Sequence, residues 1–301
     1  MKNYSASIKA KLQFHARAHG VEFGALLEQY ALGRLFWRLS QSRYADRFVL
    51  KGAQLFQIWS GAAHRPTRDA DFLSYGEVDA ESLVGIFTEI CASGLCEQDG
   101  LVWRDWAAKA IREDNSYGGL RVRMIAVLGS AKIPVQVDVG FGDVVTPEPV
   151  EVQWRGLLDF PSAPLIAYPP QTVIAEKLEA AVSLGRSNSR MKDFYDIYWL
   201  SRNMGFERSL LIESIMLTFA RRQTELPAEA PLALTDAFAR DPSKQTQWKA
   251  FLRKSDLEFV EFTEAVTAIR RFLWPLLADS SVSNLEQRWC PEQRTWLVVR
   301  E

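Results

Sequence analysis

A chain of 301 residues, 48% hydrophobic and 24% charged, has ordinary globular proportions and room for one large domain or two of common size, which excludes a disordered polymer. The formal net charge of -1 excludes a uniformly basic nucleic-acid binder, so any RNA contact must come from a local patch. Cys91, Cys96 and Cys290 are the 3 cysteines beside 3 histidines, a set that carries neither a disulfide framework nor a zinc pattern and reads as reduced and cytoplasmic.

Residues 1–20 contain no continuous apolar core and no small-residue cleavage site, so they read as an amphipathic helix rather than a signal peptide. Ile8, Leu12 and Phe14 supply its inner face, Gly20 its stop, and His15 and His19 a surface or packing pair. A second helix from Phe23 to Leu39 carries an apolar stripe of Leu26, Leu27, Tyr30, Leu35, Phe36 and Leu39, with Arg34 and Arg38 on its polar face.

Phe48, Val49 and Leu50 form a short apolar run that reads as a buried strand and breaks at Lys51-Gly52. A short helix follows, with Ala53, Leu55, Phe56 and Ile58 on its apolar face. Gly52 therefore sits where a strand gives way to a helix N-terminus, whose free N–H groups favour phosphate. In the strand that follows, side chains alternate: Asp69 and Asp71 project together while Ala70 and Phe72 point into the core. Two carboxylates on one face repel unless a cation compensates, and hard oxygen donors select magnesium or manganese, although an Asp-x-Asp pair is also common at solvated strand edges.

Glu81 to Cys91 reads as a helix with Leu83, Phe87 and Ile90 along one side, followed by short strands at Leu101–Trp103 and Ala110–Arg112. Leu120–Leu128 alternates like a half-buried strand, Gly129-Ser130-Ala131-Lys132 is a turn, and Ile133–Gly142 returns as a hairpin partner. Arg121 and Arg123 share one face of the first strand, exposed to solvent or set to touch phosphate at the rim. In the second, Val135, Val137 and Val139 face the core, leaving Gln136 and Asp138 on the other side, where Asp138 can complete a carboxylate cluster.

Pro161, Pro164, Pro169 and Pro170 mark a boundary between a domain at 1–165 and one at 166–301. Beyond them the chain reads as helical: Thr172–Leu184 capped by Thr172, with Ile174, Leu178 and Ala181 inward and Lys177 beside them; then a helix from Arg190, then Glu207–Arg222, Gln245–Leu252 and Phe259–Leu277. Lys192, Asp193 and Asp196 share a side of the Arg190 helix, which on spacing alone is most often a surface ion pair. Trp289 and Trp296 pin the C-terminal segment to the core in preference to stacking on bases. No run of membrane-spanning length is visible. The fold class is α+β, a small mixed sheet flanked by helices and followed by a mostly α-helical domain.

Taken as a set, Leu50-Lys51-Gly52-Ala53, then Arg65-Pro66-Thr67-Arg68-Asp69-Ala70-Asp71, Val137-Asp138-Val139, Glu176-Lys177-Leu178 and Arg190-Met191-Lys192-Asp193-Phe194-Tyr195-Asp196 resemble the AbiEii/AbiGii toxin family, MenT-type toxins included. That family lies within the polymerase-β-like nucleotidyltransferase superfamily. The resemblance spans residues 40–200 most distinctly. It implies a nucleotidyltransferase core on which Asp69, Asp71 and Asp138 hold Mg2+ or Mn2+, with Asp138 activating the acceptor hydroxyl. It further implies a helical domain closing over the nucleotide site. Lys51, Gly52 and Lys177 would hold the phosphates of an NTP, with Arg68 and Arg186 as secondary contacts, and one of Asp193 and Asp196 would be essential. Ala53 departs from the serine or glycine common after the motif glycine, which leaves backbone N–H groups as the phosphate donors there.

The resemblance also implies a toxin of a toxin–antitoxin or phage-defence pair, adding nucleotides to the 3′ acceptor end of tRNA, with a cognate antitoxin encoded nearby and no membrane association. Motifs do not fix the acceptor. The alternatives are the same chemistry on a protein hydroxyl or small alcohol, or a catalytically silent nucleotide- or partner-binding module.

Overall fold

The helix Tyr4–His19 (α1) is capped by the Asn3 side chain, which accepts the Ala6 N–H, and stops at Gly20 in the left-handed region. This is a computed structural model, and it describes residues 3–61, 67, 69–92, 98–113, 117–278 and 286–299. Ile8, Leu12 and Ala16, four residues apart, are the buried positions of α1. Phe14 corrects the expected face: it lies two positions from Leu12, on the other side of the helix, and is 75% exposed.

The second helix, Phe23–Ser40 (α2), buries the expected apolar stripe, but Arg34 and Arg38 are buried with it rather than lying on a polar face. The reason is Asp99. Its carboxylate accepts from Arg38 Nη2 at 2.8 and 3.0 Å, from Arg34 Nε at 3.2 Å and from the Leu101 N–H at 3.0 Å. Charge pairing and hydrogen bonding make the burial tolerable and tie α2 to the start of the long strand.

Phe48–Lys51 (β1), Gln54–Ser60 (α3), Asp69–Ser74 (β2) and Ala80–Ala92 (α4) come next, followed by Leu101–Glu113 (β3), Tyr117–Leu128 (β4) and Ala131–Phe141 (β5). Val150–Trp154 (β6) and Ala163–Ala167 (β7) complete a mixed sheet of seven strands in the order β3-β4-β5-β2-β1-β7-β6. Three sequence readings change here. The two short strands expected after α4 are one strand, interrupted by an irregularity between Arg104 and Ala107 where Asp105 takes a positive φ of 58°. The β4–β5 turn is tighter than expected, since Leu128 already pairs with Ala131. Finally, β6 and β7 enlarge the sheet in a stretch that its prolines disguise as a linker. Pro164 lies opposite Gln153 of the edge strand β6, and the pairing of β7 with β1 is made at Ala167, at the other end of the strand.

One face of this sheet is apolar. Ala70, Phe72, Val137 and Val139 are fully buried, Phe72 meets Phe36 of α2 edge-on, and Phe48 packs on Phe87 of α4. The alternation along β2 and β5 then sends Asp69, Asp71, Gln136 and Asp138 to the opposite face. These elements belong to a compact unit of residues 1–143 and 149–168.

Residues 144–148 and 169–301 form the second compact unit. It comprises Pro170–Leu184 (α5), Met191–Asn203 (α6), Phe206–Glu207 (β8), Arg208–Arg221 (α7), Asp236–Ala239 (α8), Pro242–Lys254 (α9), Phe262–Ala278 (α10), Gln287–Cys290 (β9) and Thr295–Val298 (β10). Pro170 occupies the first turn of α5, so the helix starts earlier than Thr172. Thr172 is instead a buried clamp, its hydroxyl bonding both the N–H and the carbonyl of Thr146. The unit is mostly helical, with β8, β9 and β10 forming a small sheet that the sequence did not reveal. Trp289 and Trp296 pin that sheet: their indole N–H groups donate to Ser201 O at 2.7 Å and Phe272 O at 2.9 Å.

Candidate active site

The polar face of the sheet carries a lateral row of charges. Antiparallel pairing sets Arg121 of β4 opposite Asp138 of β5, parallel pairing sets Asp138 beside Asp71 of β2, and Asp71 in turn lies opposite Lys51 of β1. Cross-strand partners sit close enough for their side chains to interact directly. Four strands thus bring a cation, two carboxylates and a second cation into line, and Asp69 stands one side-chain step along β2 from Asp71.

Gly52 fixes the end of this row. It has φ +75°, and a Cβ placed on it would come within 2.1 Å of Asp71 Oδ2. Glycine serves twice here, by accepting the left-handed turn out of β1 and by leaving room for the Asp71 carboxylate. Ala53 follows as the N-cap of α3, largely buried and offering no side-chain cap. Gln54 donates from Nε2 to Asp69 O at 3.1 Å, tying the helix start to the first aspartate's backbone.

Arg121 clasps Asp138 with two parallel bonds, Nε to Oδ1 at 2.8 Å and Nη2 to Oδ2 at 2.6 Å. The hydrogen bonds to Asp138 hold the guanidinium pKa above its ordinary value; partial burial opposes this, and the charges of Asp138, Asp69 and Asp71 reinforce it. Arg121 therefore feels all three carboxylates. Lys51 is nearly buried, with Nζ 2.9 Å from Asp143 Oδ2 and 5.7 Å from the centre of the Tyr168 ring. Among the described residues no group of three or more His, Cys, Asp or Glu is arranged as a ready metal cage. The donor chemistry of Asp69, Asp71 and Asp138 nonetheless fits a hard divalent ion: the donors are all carboxylate oxygens, on adjoining strands and in register. Both oxygens of Asp138 are engaged by Arg121.

A second constellation lies within the helical unit. Lys177 of α5 contacts both Asp193 and Asp196 of α6, the latter at 2.9 Å, and Arg190 reaches the other oxygen of Asp193. Both aspartates are buried, whereas Lys192 is exposed, so the surface pair suggested by spacing is replaced by an internal network centred on Lys177. Burial pushes the Asp193 carboxyl up, but the charges of Lys177 and Arg190 outweigh it and hold the group below its usual range. On the other side of α5, Glu179 accepts from Arg222 at 2.8 Å and from Thr224 at 2.6 Å.

Of the remaining expected residues, Arg186 is exposed on the turn Gly185–Ser187, and Arg68 lies outside the described residues. Two residues that complete these networks were not picked out as site residues, Asp143 as the partner of Lys51 and Arg190 as the second cation on Asp193, and Arg121, read as solvent-exposed or as a rim phosphate contact, is instead the clasp on Asp138. The clasp had a signal. Counting seven residues back from Leu128 and seven forward from Ala131 reaches Arg121 and Asp138.

The profile described as nucleotidyl transferase AbiEii toxin, type IV TA system, matches residues 34–268. The chain belongs to the AbiEii family. It is accordingly a nucleotidyltransferase of the toxin–antitoxin class, for which an NTP substrate and an antitoxin partner are the family's terms. Two solved structures are similar to this AbiEii chain, each with 13% identity, a TM-score of 0.48 and 84% of this chain covered: JHP933 from Helicobacter pylori, covered over 91% of its length, and a second H. pylori structure described as a candidate nucleotidyltransferase, covered over 94%. No curated protein matches the sequence. No described helix is long and apolar enough to cross a membrane.

Proposed function

We propose that this AbiEii chain transfers a nucleoside monophosphate from an NTP to the 3′ acceptor end of tRNA in a divalent-metal-dependent reaction. The acceptor hydroxyl oxygen forms a bond to the α-phosphorus, the bond from that phosphorus to the bridging oxygen of the leaving group breaks, and pyrophosphate departs with the electron pair. The observation that carries this reading is the register that sets Asp71 beside Asp138, with Gly52 backed against Asp71.

Asp69, Asp71 and Asp138 would hold a divalent ion, which when bound would neutralise charge at the triphosphate and lower the pKa of the acceptor hydroxyl. Asp138, on the strand next to the Asp-x-Asp pair, takes the hydroxyl proton. Gly52 and Ala53 offer backbone N–H groups to phosphate, and Lys51 and Lys177 are assigned phosphate contacts, with Arg68 and Arg186 as secondary ones. Asp193 and Asp196 hold Lys177 in place, which supports a positioning role for both. Growth arrest through blocked tRNA ends, phage defence and neutralisation by a cognate antitoxin complete the proposal.

The test is incubation of the purified chain with Mg2+, each α-labelled NTP and total tRNA, beside an Asp71→Ala control. Label in tRNA with wild type alone supports the reading and names the base. Label in protein bands moves the acceptor to a protein hydroxyl, and no label with any of the four nucleotides overturns the transferase assignment to RNA.

A further inference from the structure

We propose that Arg121 is a resident cation of the carboxylate row, seated on Asp138, and that a divalent ion recruits Asp138 only by displacing it. The inference rests on the reading of Asp69, Asp71 and Asp138 as metal ligands and deepens it.

Three carboxylates gathered on one sheet face need positive charge whether or not metal is present. Arg121 provides it from the protein itself, in the strongest geometry available, two parallel charge-assisted bonds that occupy both Asp138 oxygens. The sheet register places it there: Arg121 is the direct cross-strand partner of Asp138, which is itself level with Asp71. Guanidinium and metal therefore compete for the same lone pairs. Lys51, the cation at the other end of the row, also pairs with Asp143 at 2.9 Å, and the side chains of that pair are each 9% exposed.

The clasp is also built to open. The Arg121 side chain is 27% exposed while that of Asp138 is 10% exposed, so the guanidinium can swing to water while the carboxylate stays in the site. Arginine does not lose its charge at any ordinary pH, so release depends on competition and not on deprotonation. A divalent ion held by Asp69 and Asp71 would carry twice the charge of the guanidinium and so could compete with it for Asp138. Triphosphate oxygens arriving with the ion offer the freed guanidinium a new anionic partner. Arg121 is thus a positioning residue that sets the threshold for metal loading and keeps Asp138 from acting as a base before the site is charged.

The experiment is titration of the full chain with Mn2+ in the absence of nucleotide, followed by the electron paramagnetic resonance of free Mn2+, for wild type, Arg121→Gln, Arg121→Lys and Asp71→Ala. Arg121→Gln is expected to bind Mn2+ about ten- to a hundredfold more tightly than wild type, since the ion no longer has to break two charged hydrogen bonds. Arg121→Lys, which keeps the charge and loses the fork, is expected to fall between them. Equal or weaker binding by Arg121→Gln, with wild-type binding intact and lost in Asp71→Ala, overturns the proposal and leaves the metal reading standing. Absence of Mn2+ binding in wild type and Arg121→Gln alike overturns both. Should Arg121→Gln fail to fold, the Arg121 Nε–H resonance of wild type decides: it is expected to shift and to exchange faster with water as Mg2+ is added, and an unchanged, protected signal at saturating Mg2+ sinks the idea.

Discussion

Gly52 and Asp71 approach so closely that no side chain fits between them: a Cβ on the glycine would lie 2.1 Å from the carboxylate oxygen. The motif glycine and the second aspartate of the Asp-x-Asp pair are therefore one structural feature, formed where β1 turns out of the sheet beside β2. The glycine's positive φ and the aspartate's orientation depend on each other.

Gly52→Ala should damage both. Strain at φ +75° is expected to cost about 1–2 kcal/mol, and the clash must be relieved by turning Asp71 away from the row. The expected outcome is a modestly lowered melting temperature together with loss of nucleotide transfer of at least about 100-fold, because an ångström of misplacement at a reacting centre carries that penalty. Transfer at wild-type rates by a folded Gly52→Ala protein would show that the Asp71 position is not set by this contact.

The buried Arg34–Asp99–Arg38 cluster predicts a stability effect remote from chemistry. Asp99 has a fully buried side chain and accepts from two guanidinium groups and from the Leu101 N–H. Asp99→Ala leaves both arginines in the core without that carboxylate and is expected to cost about 3–5 kcal/mol in denaturant unfolding. Replacing all three by apolar residues of similar volume should recover much of the loss, and a single Asp99→Ala cost below about 1 kcal/mol would contradict the account.

The contrast between these two sites shows what the sequence carries. The Asp-x-Asp strand was legible because its period of two is local: Ala70 and Phe72 identify the buried face and so place Asp69 and Asp71 on the other. The same holds for Asp138 between Val137 and Val139. Arg34 and Arg38 were not legible as core residues, because helical periodicity puts them on a polar face and the partner that reverses this is Asp99, 65 and 61 positions away. Asp193 and Asp196 illustrate the intermediate case. Their spacing gave a shared face but not its direction, which is set by Lys177, 16 positions before Asp193 on another helix. β6 and β7 escaped because short strands among prolines have too few residues to show alternation, and their pairing depends on β1.

Asp193 yields a pH prediction. Its carboxyl is held below its usual range in the folded chain, so the unfolded chain, with a carboxyl pKa of about 3.9, takes up the proton first as pH falls. The stabilisation is therefore fully present above that unfolded value and is lost as pH drops through the folded one. Asp193→Asn should be less stable than wild type by about 3 kcal/mol near pH 7, a gap that narrows below about pH 4. Urea-unfolding midpoints between pH 3 and 7 measure it, and a gap that does not change with pH would assign the loss to packing rather than charge.

Lys51 separates structural from functional charge. Its ammonium lies 2.9 Å from Asp143 in a pair almost shut off from solvent, yet it also stands opposite Asp71 at the end of the carboxylate row, where a phosphate contact is proposed. Lys51→Met alone leaves Asp143 without its lysine and is expected to cost about 3 kcal/mol in stability, so lost activity in that variant says little by itself. The double variant Lys51→Met, Asp143→Leu removes both charges and should regain most of the stability, because an apolar pair avoids the desolvation of two ions. If Lys51 holds phosphate, the double variant melts near wild type but shows a raised KM for NTP with a smaller change in kcat. If the lysine serves only to neutralise Asp143, KM and kcat return together with the fold.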